Sequence, residues 1–444
     1  MALRLLDSFC LVSRRFLKKL VFLFFRWFFV LIQRALWQLN GTQERITRSQ
    51  NPAEFKAHAV KVLTWVKYDF FIPPSLKDFL FLHDDILDAD YVIQNDSVSL
   101  FFLDPENDVA VFAEGRPDQM LWRGEMNPFI TLACYDHAQR LIVIPMPVFH
   151  KICSRLPDPD GKLVFLGNTG RCGSTLLVQL FEQTEKIITY SEPFPLNNLS
   201  VMYKEKGHCP EVLQMTRHLI RMFCRPLKSL PNPDGYLIKP IGPALLCMDV
   251  VEKIYPGTSY FYLYRDMDKV ARSYYKLSFI LPSSRLIFLF MRFSASMVDR
   301  IFGNVGLPTK GAARTFQDDY CSAIFQAIIA TKIYQRLRND GANIHGLSFD
   351  DLIANKELGV RAIFKVCGLS SALVKPAMRA FDQDAQKGSI VSMEVMSKIS
   401  PLKVTDADVQ RANKLLVEFG FPPIGQPCRL EGTLDIGQSA ESSK

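Results

Sequence analysis

From residue 162 onward the chain repeats one pattern: a short apolar run, a turn, then a stretch with helical periodicity. "LVFLG" runs into a helix opening at Ser174, "YLIKP" precedes "ALLCMDVVEKIY", and "SYFYLYR" precedes "DKVARSYYKL". Further on, "ANIHGLSFDDL" leads into "GVRAIFKVCG", and "DADVQRANKLLVEFG" supplies a last helix. Apolar strands that each feed a helix indicate a parallel sheet covered on both faces. The expected fold class is therefore α/β, over residues 156–428. The Pro/Asp/Gly break "RLPDPDGK" at 155–162 marks its start. Residues 429–444 are a polar tail, of which 432–444 is read as frayed.

Upstream, residues 43–155 read as a polar linker followed by a small accessory α/β region. "DYVIQNDSVSLFFLD" and "NDVAVFAEG" look like strands paired about 104–107, and "QRLIVIPMPVF" like another strand. "HDDILDAD" holds Asp84, Asp85 and Asp88 in the D-D-x-x-D spacing that binds magnesium diphosphates in prenyl synthases. That chemistry needs an all-helical cavity and a second acidic cluster. Without them the stretch reads as a solvated loop or helix end.

Residues 1–42 form a hydrophobic and basic segment. "RRFLKKLVFLFFRWFFVLIQRALWQL" carries two apolar runs split by Arg26. About a dozen apolar residues at roughly −0.3 to −0.6 kcal/mol each oppose about +2.5 to +3.5 kcal/mol for a central arginine, so spanning is only marginally favourable. The rival is a helix lying in the membrane interface. At about 100° per residue, Arg4, Arg15, Lys19 and Arg26 project within one narrow sector, as such a helix requires. Arg14, Arg15, Lys18 and Lys19 would hold that flank cytosolic if the segment spans. No small-residue cleavage site follows. The expectation is membrane association, with a single-pass anchor and a luminal body preferred over an interfacial helix.

Composition excludes little beyond disorder: 48% of residues are hydrophobic and 22% charged. The net charge of +8 suits an anionic ligand or a membrane surface. Its basic residues are dispersed with no nucleic-acid-binding motif, so nucleic acid is not an expected partner. The 10 cysteines include no C-x-x-C pair, which gives neither a zinc signal nor a small disulfide framework. Sequons at Asn40, Asn95 and Asn198 do not decide the compartment.

The stretch "VFLGNTGRCGSTLLVQL" at 164–180 carries the chemistry. A strand ends, the chain turns through Gly170 and Gly173, and a helix begins at Ser174 and Thr175. Such a turn aims backbone N–H groups and the positive helix end at one spot, where glycines allow close approach of an anion. A nucleotide-triphosphate loop would read G-x-x-x-x-G-K-[ST], its lysine reaching the outer phosphates. Here Gly173 stands in the lysine's place, and the cation, Arg171, comes earlier. No downstream acidic partner for magnesium follows, so a P-loop NTPase-like anion loop without metal is expected. A second feature lies in "SYFYLYRDMDKVARSYYKL": Arg265 ends an apolar strand and Ser273 sits inside the next helix.

Together "GRCGSTLL" and "YLYRDMDKVARSYYKL" resemble the sulfotransferases that use 3′-phosphoadenosine 5′-phosphosulfate (PAPS), in both order and separation. "LSFDDLIANKELGVRAIFKVCGL" is similar to a third segment of that family, which usually begins Tyr-Glu-Asp-Leu; here Phe349 replaces the tyrosine. The resemblance covers about residues 160–425. It implies that Arg171, Cys172, Gly173, Ser174 and Thr175 hold the phosphosulfate, and that Arg265 and Ser273 hold the 3′-phosphate. Lys239 of "YLIKP" matches a lysine that stabilises the leaving group in several branches. "QKGS", with Lys387 and Gly388, is faintly similar to a C-terminal phosphate-binding loop of the cytosolic branch.

The cytosolic branch takes its base from a histidine in a Lys-Thr-His setting, whereas this chain reads Lys239-Pro240-Ile241. Tyrosylprotein and related Golgi sulfotransferases use a glutamate after the loop's helix, and "YSEPF" supplies Glu192. The resemblance thus implies Golgi placement and a hydroxyl-bearing acceptor: glycan, protein, lipid or small molecule. The remaining expected partners are the membrane, with a homodimer left open. Two rivals share the same core: a kinase-like phosphotransferase, and a catalytically silent membrane scaffold. The apolar and basic stretch 280–310 reads as a substrate lid, a second membrane surface or buried helix.

Overall fold

The computed structural model describes residues 2–70, 72–281, 319–399 and 403–436. The stretch 280–310 thus falls almost wholly outside the described residues. The chain divides into two compact units, residues 1–161 with 190–233 and residues 162–189 with 234–444. The segment 190–233, which the strand–helix pattern assigns to the second unit, groups with the first.

The first unit is built on β1 (Lys56–Trp65), β2 (Phe79–Asp88), β3 (Val98–Asp104), β4 (Val109–Glu114) and β5 (Arg140–Pro145). They form an antiparallel sheet in the order β2-β1-β5-β4-β3. β3 and β4 are the hairpin expected about 104–107. The acidic triple lies on the edge strand β2 rather than in a loop or helix end, and Asp84 is ion-paired with Arg140 at 2.9 Å. Within residues 43–54, read as a polar linker, Thr42–Ser49 is a helix. The segment 190–233 contributes the helices Pro195–Lys206 and Pro210–Phe223. It is fixed to β3 by Arg225, whose guanidinium donates to the Val98 carbonyl.

The helix Ala2–Leu39 docks along β2 through its polar stripe. Lys19 Nζ donates to the Val66 carbonyl at 2.6 Å and to Asp78 Oδ1 at 2.7 Å. One heptad on, Arg26 Nε donates to the Phe79 carbonyl at 2.8 Å, and a heptad later Gln33 Nε2 donates to the Phe81 carbonyl at 3.1 Å. Alternate carbonyls on the free side of an edge strand are thereby satisfied, which blunts an edge that would otherwise invite another strand. Trp37 completes the contact, edge-on to His58 and His83 at 6.3 and 6.0 Å. Asp78 is the hub, also accepting from Lys67 at 3.0 Å and the Tyr135 hydroxyl at 2.7 Å. Burial alone would raise its carboxyl, but Lys67, with hydrogen bonds from Lys19 and Tyr135, holds it below the ordinary value. By length and apolarity, Phe9–Leu39 is a candidate membrane-crossing helix.

The second unit holds β6 (Lys162–Asn168), β7 (Ile187–Ser191), β8 (Gly235–Lys239), β9 (Ser259–Tyr264) and β10 (Ile344–Ser348). Their order is β10-β9-β6-β8-β7, and β10–β9, β9–β6 and β6–β8 pair in parallel. This is the expected parallel sheet of an α/β fold. The helices Ser174–Glu182 and Lys356–Val366 pack apolar faces on one side of it, with Leu177, Phe181, Val360 and Phe364 buried among Val164, Leu166 and Leu263. Part of the tail is ordered rather than frayed: the Gly346 amide donates to Gly432 O at 2.9 Å, and the Leu434 amide to Gly346 O at 2.8 Å. β10 is an edge strand, so its outer backbone groups recruit this segment.

Two histidine pairs make the first unit acid-sensitive. His58 Nε2 meets His83 Nδ1 at 3.0 Å, and His150 Nδ1 meets His218 Nδ1 at 2.7 Å. Burial, then the neighbouring histidine, lowers His58 and His218 to about 4. In the unfolded chain both titrate near the ordinary value of about 6.5, so the unfolded state binds more protons as pH falls. Their contribution is present in full above about pH 6.5 and is lost as pH drops towards 4. Urea midpoints should therefore fall between about pH 6.5 and 5, where few carboxylates titrate. The double variant His58→Gln/His218→Gln should flatten that decline.

Candidate functional site

The site lies where the second sheet reverses its strand order. From β6 the chain runs to one side through β7 and β8, then returns to the other side for β9 and β10. Ligands of open α/β sheets bind outside the carboxyl ends of strands flanking such a switch point. The register Asn168↔Leu263 sets the turn after β6 beside the turn after β9. The Thr169 amide donates to Leu263 O at 3.1 Å, and the Cys172 thiol to the same carbonyl at 3.3 Å. Cys172 is therefore a buried anchor of the loop, and burial pushes its thiol up. Only its backbone could face a ligand.

Gly170, Arg171 and Gly173 have φ of 72°, 53° and 90°. These left-handed residues fold the loop back on itself and start the helix Ser174–Glu182. Its N-cap is Gly173, which has no side chain to cap the first-turn amides, the geometry that anion-binding helix starts share. The Gly170 amide donates to Asn168 Oδ1 at 2.8 Å, tightening the turn. Both glycines are also required by space: a Cβ at Gly170 would strike the Tyr274 hydroxyl, and one at Gly173 the Phe349 ring.

Arg171 Nε donates to Ser273 Oγ at 2.9 Å. The two motifs thus meet across 102 residues of sequence. Ser273 is carried by the helix Met267–Ile280, which Asp266 caps by accepting from the Lys269 amide. Tyr274, next on that helix, donates to the Thr169 carbonyl at 3.2 Å. Arg265, the first residue past β9, sets its guanidinium over the Phe349 ring at 4.9 Å. Its Nε is buried without a hydrogen-bond partner among the described residues. Buried donors are rarely left so, and this one is poised for an acceptor oxygen. Lys239 ends β8 and is 1% exposed, close enough for its charge to act on the Cys172 sulfur.

Arg171, Gly173, Ser174, Thr175, Lys239, Arg265 and Ser273 therefore all lie at the carboxyl edge of one sheet. Glu192 belongs to the first unit. It follows the last residue of β7 with φ of 60°, and its carbonyl accepts from Thr131 Oγ1 at 2.9 Å. A non-glycine residue there costs about 1–3 kcal/mol and marks a position worth functional scrutiny. Among the described residues no group of three or more His, Cys, Asp or Glu is gathered as a metal site.

Two contributors, Tyr274 and Gln386, were not named from the sequence, and Phe349 was named only as a departure from the family segment. Tyr274 braces the loop, and Phe349 supplies the ring beneath Arg265 and against Gly173. Gln386, from "QKGS", sits 3.5 Å from both Arg171 Nη1 and Thr175 Oγ1, while the neighbouring Lys387 is exposed. The faint similarity of "QKGS" to a C-terminal phosphate-binding loop was the sequence signal for that segment.

No family model matches the chain, and no curated protein matches it. Among solved structures, it is similar to the sulfotransferase STF1 from Mycobacterium tuberculosis H37Rv. The identity is 14%, over 57% of this chain and 81% of that one, with a TM-score of 0.31. It is also similar to the sulfotransferase domain from the curacin biosynthetic pathway, at 14% identity over 61% of this chain and 95% of that one, with a TM-score of 0.30. Overlaps this loose carry no argument, and function has to be argued from the residues.

Gly173→Ala should cost about 1–2 kcal/mol for its backbone and a further ~1–3 kcal/mol for crowding Phe349. Gly388→Ala, at φ of 78° with nothing within 4 Å of the added carbon, should show the backbone part alone. Denaturant unfolding of the two variants measures the difference.

Proposed function

We propose that this protein is a PAPS-dependent sulfotransferase that moves a sulfuryl group to an acceptor hydroxyl. The observation that carries the reading is the convergence of Arg171, Ser273 and the unsatisfied Arg265 Nε at one sheet edge. Two anionic groups of one donor are what such a split cationic site suits. The loop amides, Arg171, Ser174 and Thr175 would hold the 5′-phosphosulfate, and Arg265 and Ser273 the 3′-phosphate. In the structure Arg171 Nε donates to Ser273 Oγ; on binding, Arg171 would exchange that bond for a charge-assisted bond to phosphate.

Each residue then has one task. Glu192 takes the acceptor's proton as the acceptor oxygen bonds to sulfur and the bond from sulfur to the bridging phosphate oxygen breaks. Lys239, Arg171 and the helix N-terminus stabilise the charge gathering on that bridging oxygen, which departs with adenosine 3′,5′-bisphosphate. The donor supplies the activated sulfuryl group, and the protein supplies position and electrostatics. Glu192 enters through its place one residue past β7, its left-handed backbone and the resemblance to the glutamate-base branch.

Adenosine 3′,5′-bisphosphate at about 100 times its dissociation constant should stabilise the full chain by about 2.7 kcal/mol. A thermal-shift series reads this directly, and Ser273→Ala and Arg265→Ala should each reduce the shift. A shift with ATP alone would replace this reading with a kinase-like one. No shift with either nucleotide would favour a silent scaffold.

Glu192→Gln should keep the bisphosphate shift and lose sulfuryl transfer by roughly 10²–10⁴-fold, the usual worth of a general base. Transfer of radiolabelled sulfate from PAPS onto a pooled acceptor extract is the assay. Retained turnover would remove Glu192 as the base.

A further inference from the structure

The helix Ala2–Leu39 has a docked face and an uncovered one. Lys19, Arg26 and Gln33 point inward to carbonyls of the first unit, as described above. On the opposite side Leu17, Val21, Phe24, Phe28 and Leu31 form a continuous apolar strip, with Leu17 62% and Phe24 58% exposed. Between Asp7 and Glu44 there is no acidic residue, and Arg14, Lys18 and Arg34 are exposed along the margins of the strip.

We propose that this helix lies flat in the interface of an anionic lipid bilayer, its outward strip in the acyl boundary and its inward stripe bonded to the body. Spanning is incompatible with the docked arrangement. A helix crossing the hydrocarbon would either strand Arg26 and Gln33 among lipid or draw the β2 edge in with them, and backbone groups of an open edge are not tolerated there. Lying flat keeps every inward hydrogen bond and removes only the apolar strip from water. Charge selects lipid over a second copy of the chain. Two such strips packed together would bring Arg14, Lys18 and Arg34 against the same cations with no carboxylate between them, whereas anionic headgroups complement them.

The test uses the full chain and vesicles of phosphatidylcholine, with and without phosphatidylglycerol. The protein is expected to float with both, and roughly tenfold or more tightly with the anionic vesicles. Phe24→Glu/Phe28→Glu, on an exposed surface, should melt like the parent yet lose binding by about a hundredfold or more. Topology is read from chain carrying an N-terminal peptide tag, synthesised with sealed vesicles and treated with protease outside. Tag and body should be digested together. Protection of the body with the tag digested, or of the tag with the body digested, would establish a spanning helix and overturn the proposal. So would undiminished flotation of the double variant, or self-association of the parent without flotation.

Discussion

The site depends on one pairing, the parallel register of β6 with β9. Because Asn168 stands opposite Leu263, the turns after both strands emerge side by side. The Leu263 carbonyl then takes the Thr169 amide and the Cys172 thiol, so one backbone atom of β9 pins the loop of β6. A shift of two residues along the sheet, the smallest that keeps the same faces buried, would move the two turns about 6–7 Å apart. Arg171 could not then reach Ser273. The close packing of the buried side chains along both strands opposes such a shift, which makes the core the guarantor of the site.

The same geometry explains a substitution that looks like a defect in sequence. In a triphosphate-binding loop the residue before Ser174 would be lysine. Here that position has φ of 90° and faces the Phe349 ring, so any side chain there meets both a backbone penalty and a collision. Phe349 is held in place in turn by Arg265, whose guanidinium covers its ring. The absence of the lysine is therefore tied to the presence of Arg265: one aromatic ring closes the first position and seats the second. The positive charge that a triphosphate loop concentrates on one lysine is distributed over Arg171, Lys239 and Arg265 along the sheet edge. A distributed charge suits an anion with phosphates at two ends better than a compact run of three.

How much of this was legible follows from the range of the forces involved. The alternation of apolar strand and helix is local and repeated, so the parallel sheet could be read directly, as could the β3–β4 hairpin. The left-handed turn at Gly170 and Gly173 is also local chemistry. By contrast, Gln386 reaches Thr175 across 211 residues, and only the faint similarity of "QKGS" to a phosphate-binding loop points to its segment, not to that side chain. The return of 190–233 to the first unit depends on Arg225 finding carbonyls of residues 95 and 98. "HDDILDAD" misled because its carboxylates suggest solvent, while the strand's pairing with β1 is set by the apolar residues between them. The tail was misread for a related reason: "LEGTLDI" has the composition of a loose end, yet an edge strand offered its backbone a partner.

The N-terminal helix shows how the same residues can support opposite readings until a partner is known. Arg26 in the middle of an apolar run is a cost if the surroundings are lipid and an asset if they are a strand edge. The heptad spacing of Lys19, Arg26 and Gln33 advances about 10 Å per step along the helix, whereas alternate carbonyls of a strand repeat about every 7 Å. Only long, flexible donors can bridge that mismatch, and all three residues are of that type. Short polar residues at the same positions would serve an interfacial helix equally well but could not hold this edge. The choice of lysine, arginine and glutamine therefore records attachment to the sheet, and the phenylalanines and leucines behind them are left to meet something else.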